Sequence, residues 1–285
     1  MRICEIIRRG GGSEQPLVLP GVPKLLHLGH ARPHPNPLPE GDGTGPCGQF
    51  AIESGIGRGI RKLPSDMNTP SKERLLAELR SSGISDERVL AAVAEVPRDE
   101  FVPGQLRPRA YENVALPIEE DQTISQPMVV AHMVQVVHPS QNDHVLEIGT
   151  GSGYGAAVLS RLAHDVITVE IRPGLAEHAS RRLHDLGYTN VRVVVSDGSL
   201  GWQELAPYDA IVVTAAAPSL PPDLLRQLSS RGGRIVAPVG SLREQQLVFA
   251  ERRGGRIKSQ RIGGVRFVPL QGSAGFAILD SDRRN

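Results

Sequence analysis

Residues 144–155, HVLEIGTGSGYG, decide the fold. The apolar run HVLEIG (144–149) reads as a buried strand that passes straight into Gly149, Gly151, Gly153 and Gly155. Alternating glycines let the backbone approach a ligand with no Cβ in the way. A plain turn needs fewer glycines, because each adds chain entropy to be lost on folding. Ligands in open α/β sheets bind at the carboxyl ends of strands, where this loop lies. A dinucleotide fingerprint requires glycine at the first, third and sixth positions; counted from Gly149, the sixth is Tyr154.

Outward from the loop the chain alternates strand and helix. Residues 153–163 read as a helix, DVITVE (165–170) as a strand and 173–186 as a helix stopped at Gly187. VRVVV (191–195), YDAIVVT (208–214) and RIVAPV (234–239) follow as strands, with a short helix over 221–229. Continuous apolar strands separated by helices predict a parallel sheet covered on both faces. QQLVFAERRGGRIKSQRIGGVRFVPL departs from this rhythm and reads as an antiparallel hairpin turning at Gly254-Gly255. Upstream, Ser71 and Ser85 are placed to cap two helices ending near Gly83 and Glu95. A proline-rich irregular stretch runs to about Asp121, and Pro127 suits the first position of a helix through Val137. The expected fold is therefore α/β, doubly wound and mostly parallel, with N-terminal helices and a C-terminal hairpin.

Composition divides the 285 residues in two. Residues 1–66 hold 21 glycines and prolines, too many for a packed core, and are expected to be disordered. PHPNPLPEGDG within them resembles a peptide translated from bacterial intergenic repeats, so Met67 is the expected start of the protein. Residues 67–285 form the expected single domain, with 24 basic and 25 acidic side chains. A nucleic-acid-binding domain is usually clearly basic, so none is expected as a partner. The apolar runs fall short of the ~18 residues of a membrane helix, and no apolar leader precedes the domain. Cys4 and Cys47 are the only cysteines, which excludes a disulfide framework. His164, His178 and His184 lack metal-ligand spacing, so no metal is expected.

Several single residues stand out. Glu170 ends the second strand 21 residues after Gly149, where its carboxylate can accept both hydroxyls of a ribose. Asp197-Gly198 ends the third; the acid can accept an adenine amino group, or the pair can be an ordinary turn. Glu147 would be costly as an unpaired buried charge, and a cationic or amino-bearing ligand would supply a partner.

The glycine pattern E-x-G-x-G-x-G resembles the loop of S-adenosylmethionine-dependent methyltransferases of class I, the Rossmann-like group. DQTISQP (121–127), VLEIGTGSGY (145–154), Asp197-Gly198, PYDAIVVTAA (207–216) and VRFVPL (265–270) in that order resemble the protein-L-isoaspartate O-methyltransferases over residues 70–271. Asp197 follows serine, where many members of that family have glycine, and residues 1–66 have no counterpart there. The resemblance implies methyl transfer from S-adenosylmethionine to the free α-carboxylate of L-isoaspartyl residues in proteins, with the ester then closing to a succinimide. It implies a donor site at Glu147, Gly149, Gly151, Gly153, Glu170, Asp197 and Gly198. On the acceptor side it implies Ser125 as the group positioning the carboxylate, with Thr123, Ile124, Arg266 and Val268 around the peptide.

Two other roles are open at these residues: Ser125 as a helix cap, and Arg266 as a solvated strand residue. An amine methyltransferase is disfavoured, because TAAAP (214–218) lacks the polar and aromatic residues that hold an exocyclic amine. A class I enzyme acting on a small-molecule carboxylate or hydroxyl is the alternative, opposed only by the TISQP and VRFVPL segments. A cytoplasmic monomer acting on isoaspartyl proteins, apart from membranes, is expected.

Overall fold

The computed structural model describes residues 69–276. The expectation for residues 1–66 lies outside them. Helices α1 (Thr69–Ser81), α2 (Glu87–Glu95) and α3 (Pro127–Val137) precede the sheet, with a two-stranded hairpin, β1 (Leu116–Pro117) and β2 (Thr123–Ile124), before α3. Then follow β3 (His144–Ile148), α4 (Tyr154–Ser160), β4 (Asp165–Glu170), α5 (Pro173–Asp185), β5 (Val191–Val195), β6 (Ala210–Val213) and α6 (Pro222–Arg226). The chain continues through β7 (Arg231–Gly240), β8 (Gln245–Arg253) and β9 (Arg256–Val265).

The sheet order is β5-β4-β3-β6-β7-β8-β9. The first five strands are parallel; β8 and β9 add antiparallel. The hairpin, the parallel sheet and the helices on both faces match the expectation. Period-2 alternation divides each central strand between two cores. Val145, Val166 and Ala210 share one register row and pack under α1 to α5. Leu146, Ile167, Ile211 and Ile235 share the next and pack on the opposite face with Leu224 and Leu228. Burying both faces is what makes these strands read as unbroken apolar runs.

The two serine caps are corrected. Helix α1 begins at Thr69, which places Ser71 inside its first turn. Helix α2 is capped by Asp86, whose carboxylate accepts the Arg88 N–H at 3.0 Å; the Ser85 N–H donates to Gln135 instead. A carboxylate is at least as good a cap as a hydroxyl and adds favourable charge at the helix N-terminus. Pro127 does open α3, behind Gln126, which makes no side-chain cap. The irregular stretch before it holds two 3₁₀ turns and the β1–β2 hairpin, whose two-residue strands are too short for a periodic signal.

Arg98 locks this N-terminal part to the domain. It is fully buried. Its Nε donates to the Ala110 carbonyl at 2.8 Å and its Nη2 to that of Val114, and its Cζ lies 4.7 Å from the Tyr154 ring centroid. Burial pulls its pKa below the usual guanidinium value. Arg98→Ala leaves two carbonyls without their donor and opens a cavity against Tyr154. We expect it to cost about 3–5 kcal/mol in urea unfolding; a loss under about 1 kcal/mol would show that the contact is dispensable.

Candidate active site

The glycine loop leaves β3 at its carboxyl end and turns into α4. Gly149 holds φ +95°, and a Cβ there would collide with Thr214 Oγ1. That hydroxyl donates to the carbonyl of Gly149 at 2.7 Å and is also within reach of the Ile148 carbonyl, so β6 grips the loop at its start. Gly155 is needed for a different reason: a Cβ there would collide with Glu147 Oε1. Glu147 reaches from β3 under the first turn of α4, 1% exposed. Its Oε2 accepts the Thr168 hydroxyl at 2.7 Å, and Thr168 Oγ1 lies 2.8 Å from Thr150 Oγ1. Burial pushes the Glu147 carboxyl up to about 8; the Thr168 bond opposes the shift and the neighbouring Glu170 charge adds to it.

Glu170 is buried at the end of β4. Its Oε2 accepts the Gly151 N–H at 3.0 Å and its Oε1 accepts the Arg172 N–H at 3.1 Å. Each oxygen retains a lone pair for a further donor.

On the other side of the loop stands the β1–β2 hairpin. Its tip places Glu120 and Asp121 at φ 55° and 56°, a left-handed conformation that non-glycine residues seldom adopt. Two ion pairs tie the tip to α5 and its entry: Glu119 with Arg182 at 3.8 Å and Glu120 with Arg172 at 3.4 Å. Arg182 also donates to the Ser152 carbonyl at 2.8 Å, joining hairpin and glycine loop through one side chain. A third wall is the segment after β9. Val268 and Leu270 bond the Ala216 backbone, and Gln245 accepts the Phe267 N–H at 2.7 Å and donates to its carbonyl at 3.2 Å.

These elements enclose a cleft with about 850 Å³ of empty space, the part open to solvent included. It gathers Thr123, Ile124, Ser125, Glu147, Gly149, Gly151, Glu170, Gly198 and Val268. The Ser125 hydroxyl is half-buried there and takes no hydrogen bond among the described residues. It does not cap α3: Asn113 Oδ1 accepts the Met128 N–H at 3.0 Å instead.

Three of the expected residues lie apart from the cleft. Asp197 turns away, with Oδ1 accepting the Ser199 N–H and hydroxyl and Oδ2 the Ser273 N–H. Burial alone would raise its pKa, but these donors hold it below the usual range. Gly153 is the left-handed residue before α4, and a Cβ there would crowd Leu183. Arg266 is exposed on the segment leaving β9 and makes no ion pair among the described residues. Sequence reading missed Ile171 and Thr214, which line the cleft, and Gln245 and Arg182, which hold its walls. The fourth glycine was the available signal for Glu147, since only a side chain pressed against α4 requires Gly155. Among the described residues no group of three metal-ligating side chains occurs.

A mostly parallel sheet with an antiparallel hairpin, a glycine loop and acids at the ends of its first two core strands defines a class I methyltransferase. A sequence model of the protein-L-isoaspartate(D-aspartate) O-methyltransferase family matches residues 70–275. Protein-L-isoaspartate O-methyltransferase 2 of Pelobacter propionicus is 51% identical over 220 residues, 74% of this chain and 97% of that one. The corresponding protein of Protochlamydia amoebophila is 50% identical over 206 residues, 72% of this chain and 98% of that one. A solved protein-L-isoaspartate O-methyltransferase superposes with TM-score 0.65 at 33% identity, over 72% of this chain and 67% of that chain. A putative member from Plasmodium falciparum, solved with S-adenosyl-L-homocysteine, gives TM-score 0.63 at 23% identity over 70% and 98%, a likeness of fold. The chain belongs to the protein-L-isoaspartate O-methyltransferase family, and its reaction is carboxyl methylation of isoaspartyl residues in proteins.

Glu147 carries a pH signature. In the unfolded chain it titrates near 4.5 and in the fold near 8, so the folded state binds its proton more tightly. That contribution to stability is fully present below pH 4.5 and is lost as pH rises through about 8. Glu147→Gln removes it. Between pH 5 and pH 8 the wild type should lose urea stability relative to the variant; parallel pH profiles would contradict a raised Glu147.

Proposed function

We propose that the cleft holds S-adenosylmethionine on its glycine-loop side and the isoaspartyl α-carboxylate on its hairpin side. The observation that carries this reading is the placement of Ser125, an unpartnered hydroxyl, across the same cleft from Glu170. The donor, when bound, supplies a methyl carbon activated by a cationic sulfur. The spare lone pairs of Glu170 suit a ribose, and exposed Ile171 offers an apolar face to a flat ring. Glu147 is the buried acid available to the cationic end of the donor. With Glu147 beneath it and Glu170 beside it, the loop fits a cationic nucleoside better than a phosphate. Asp197 is not assigned a donor contact.

The acceptor needs no general base, because an α-carboxylate is ionised at neutral pH. The chain's task is to align its oxygen with the methyl carbon and exclude water. Ser125 donates one hydrogen bond to that carboxylate, Thr123 and Ile124 shape the hairpin side, and Val268 walls the peptide. The protein acts as a cytoplasmic monomer on isoaspartyl proteins and peptides, without nucleic-acid or membrane partners. No helix among the described residues is long and apolar enough to cross a membrane.

An isoaspartyl peptide and its normal aspartyl twin, offered with S-adenosylmethionine, test the reading. Only the isoaspartyl peptide should gain a methyl ester; equal labelling of both, or of neither, would overturn it. Ser125→Ala should lower kcat by about 30- to 1000-fold, the worth of one transition-state hydrogen bond to a charged oxygen. Affinity for S-adenosylhomocysteine should stay unchanged. Wild-type turnover in this variant would remove Ser125 from the acceptor site.

A further inference from the structure

The charge of the domain is sharply divided. Residues 231–266 hold nine basic side chains and two acidic ones, whereas the remainder of 67–285 holds 15 basic and 23 acidic. The basic part is the β7–β9 end of the sheet. Strand β9 is the last in the order, so one edge has no strand partner among the described residues. It carries Arg256, Lys258 and Arg261 and no acid. The side chains of Arg256, Arg261 and the following Arg266 are exposed and make no ion pair or hydrogen bond among the described residues.

Edge strands are often charged to deter sheet-to-sheet pairing, but either sign serves that purpose. At the opposite edge, β5 has Arg192 as its only charge. At the far end of β9, moreover, Arg231, Arg253 and Arg256 sit side by side across three strands. Like charges placed directly opposite cost stability. Glu251 pairs with Arg253 at 2.8 Å, while Arg231 and Arg256 make no ion pair among the described residues and so suit the attraction of an anion.

The strand also leads to the site. β9 runs parallel to β7 and passes through Arg266 into Val268, Pro269, Leu270 and Gln271, all lining the cleft. At roughly 3.3 Å per residue, Arg261 stands about 20 Å of chain from Val268. An extended polypeptide beside β9 would therefore enter the cleft at its acceptor wall. Backbone groups would pair along the edge, as in strand addition to an open sheet.

We propose that the free edge of β9, with Arg256 and Arg261, docks an extended acidic stretch of the substrate polypeptide some distance from the damaged residue. This deepens the isoaspartyl reading above and rests on it. The enzyme would then read the charge of the flanking chain as well as the damaged residue.

The test uses the full chain and isoaspartyl peptides carrying a flank of about ten residues. One peptide set has glutamates in the flank and a matched set has glutamines; each flank is placed N-terminal in one version and C-terminal in another. At low ionic strength KM should be about three- to tenfold lower for the glutamate peptide in one placement, the scale of two or three exposed ion pairs. The difference should shrink in 0.5 M salt, because such pairs are screened. It should also shrink in Arg256→Ser/Arg261→Ser, which should leave kcat and KM for a short, unflanked isoaspartyl peptide unchanged. Equal KM for both flanks in both placements, or a preference that survives the double substitution, would overturn the proposal. So would a single-stranded oligonucleotide that binds through the same two arginines while acidic flanks have no effect. Failure to methylate any isoaspartyl peptide would instead overturn the underlying reading.

Discussion

The Gly151 N–H donates to the Glu170 carboxylate, and the arrangement of the cleft depends on that bond. It fastens the loop after β3 to the end of β4, alongside the Thr150–Thr168 hydroxyl contact. Alternating glycines give the backbone its close approach but also its freedom, which must be removed by contacts from outside. Glu170 supplies one restraint, Thr214 supplies another at Gly149, and Arg182 a third at Ser152. The loop is thus held by the chain's own contacts, and restraint of this kind spares ordering cost on binding.

Two carboxylates share this small volume in different surroundings. Glu170 accepts two backbone N–H groups, from Gly151 and Arg172. Glu147 has one hydroxyl and lies in a dry strand interior, and burial pushes its carboxyl up to about 8. The acceptor side is built separately, from a hairpin and a post-strand segment tied back by Arg172, Arg182 and Gln245.

Much of this was legible in the chain. The strands from β3 to β7 announce themselves because both faces are buried, and Glu170 and the glycine loop are adjacent in sequence to strand ends. Ser125 came from a resemblance, and the geometry adds that its hydroxyl is free of capping. What sequence could not show depends on contacts between distant residues. Asp197 also accepts hydrogen bonds from Ser199 and from Ser273, the latter 76 residues away. Ser85 looks like a cap but yields to Asp86, a contest that local pattern does not rank. Arg98 and Gln245 are polar residues in core positions, and nothing nearby in the chain marks the carbonyls they serve.

If Glu170 both fixes the loop and receives the donor, calorimetric titration with S-adenosylhomocysteine tests the account most directly. Glu170→Ala should bind about 10- to 150-fold more weakly than wild type, corresponding to the ~1.5–3 kcal/mol of hydrogen bonds to a charged group. Unchanged affinity would contradict the account and remove Glu170 from the site.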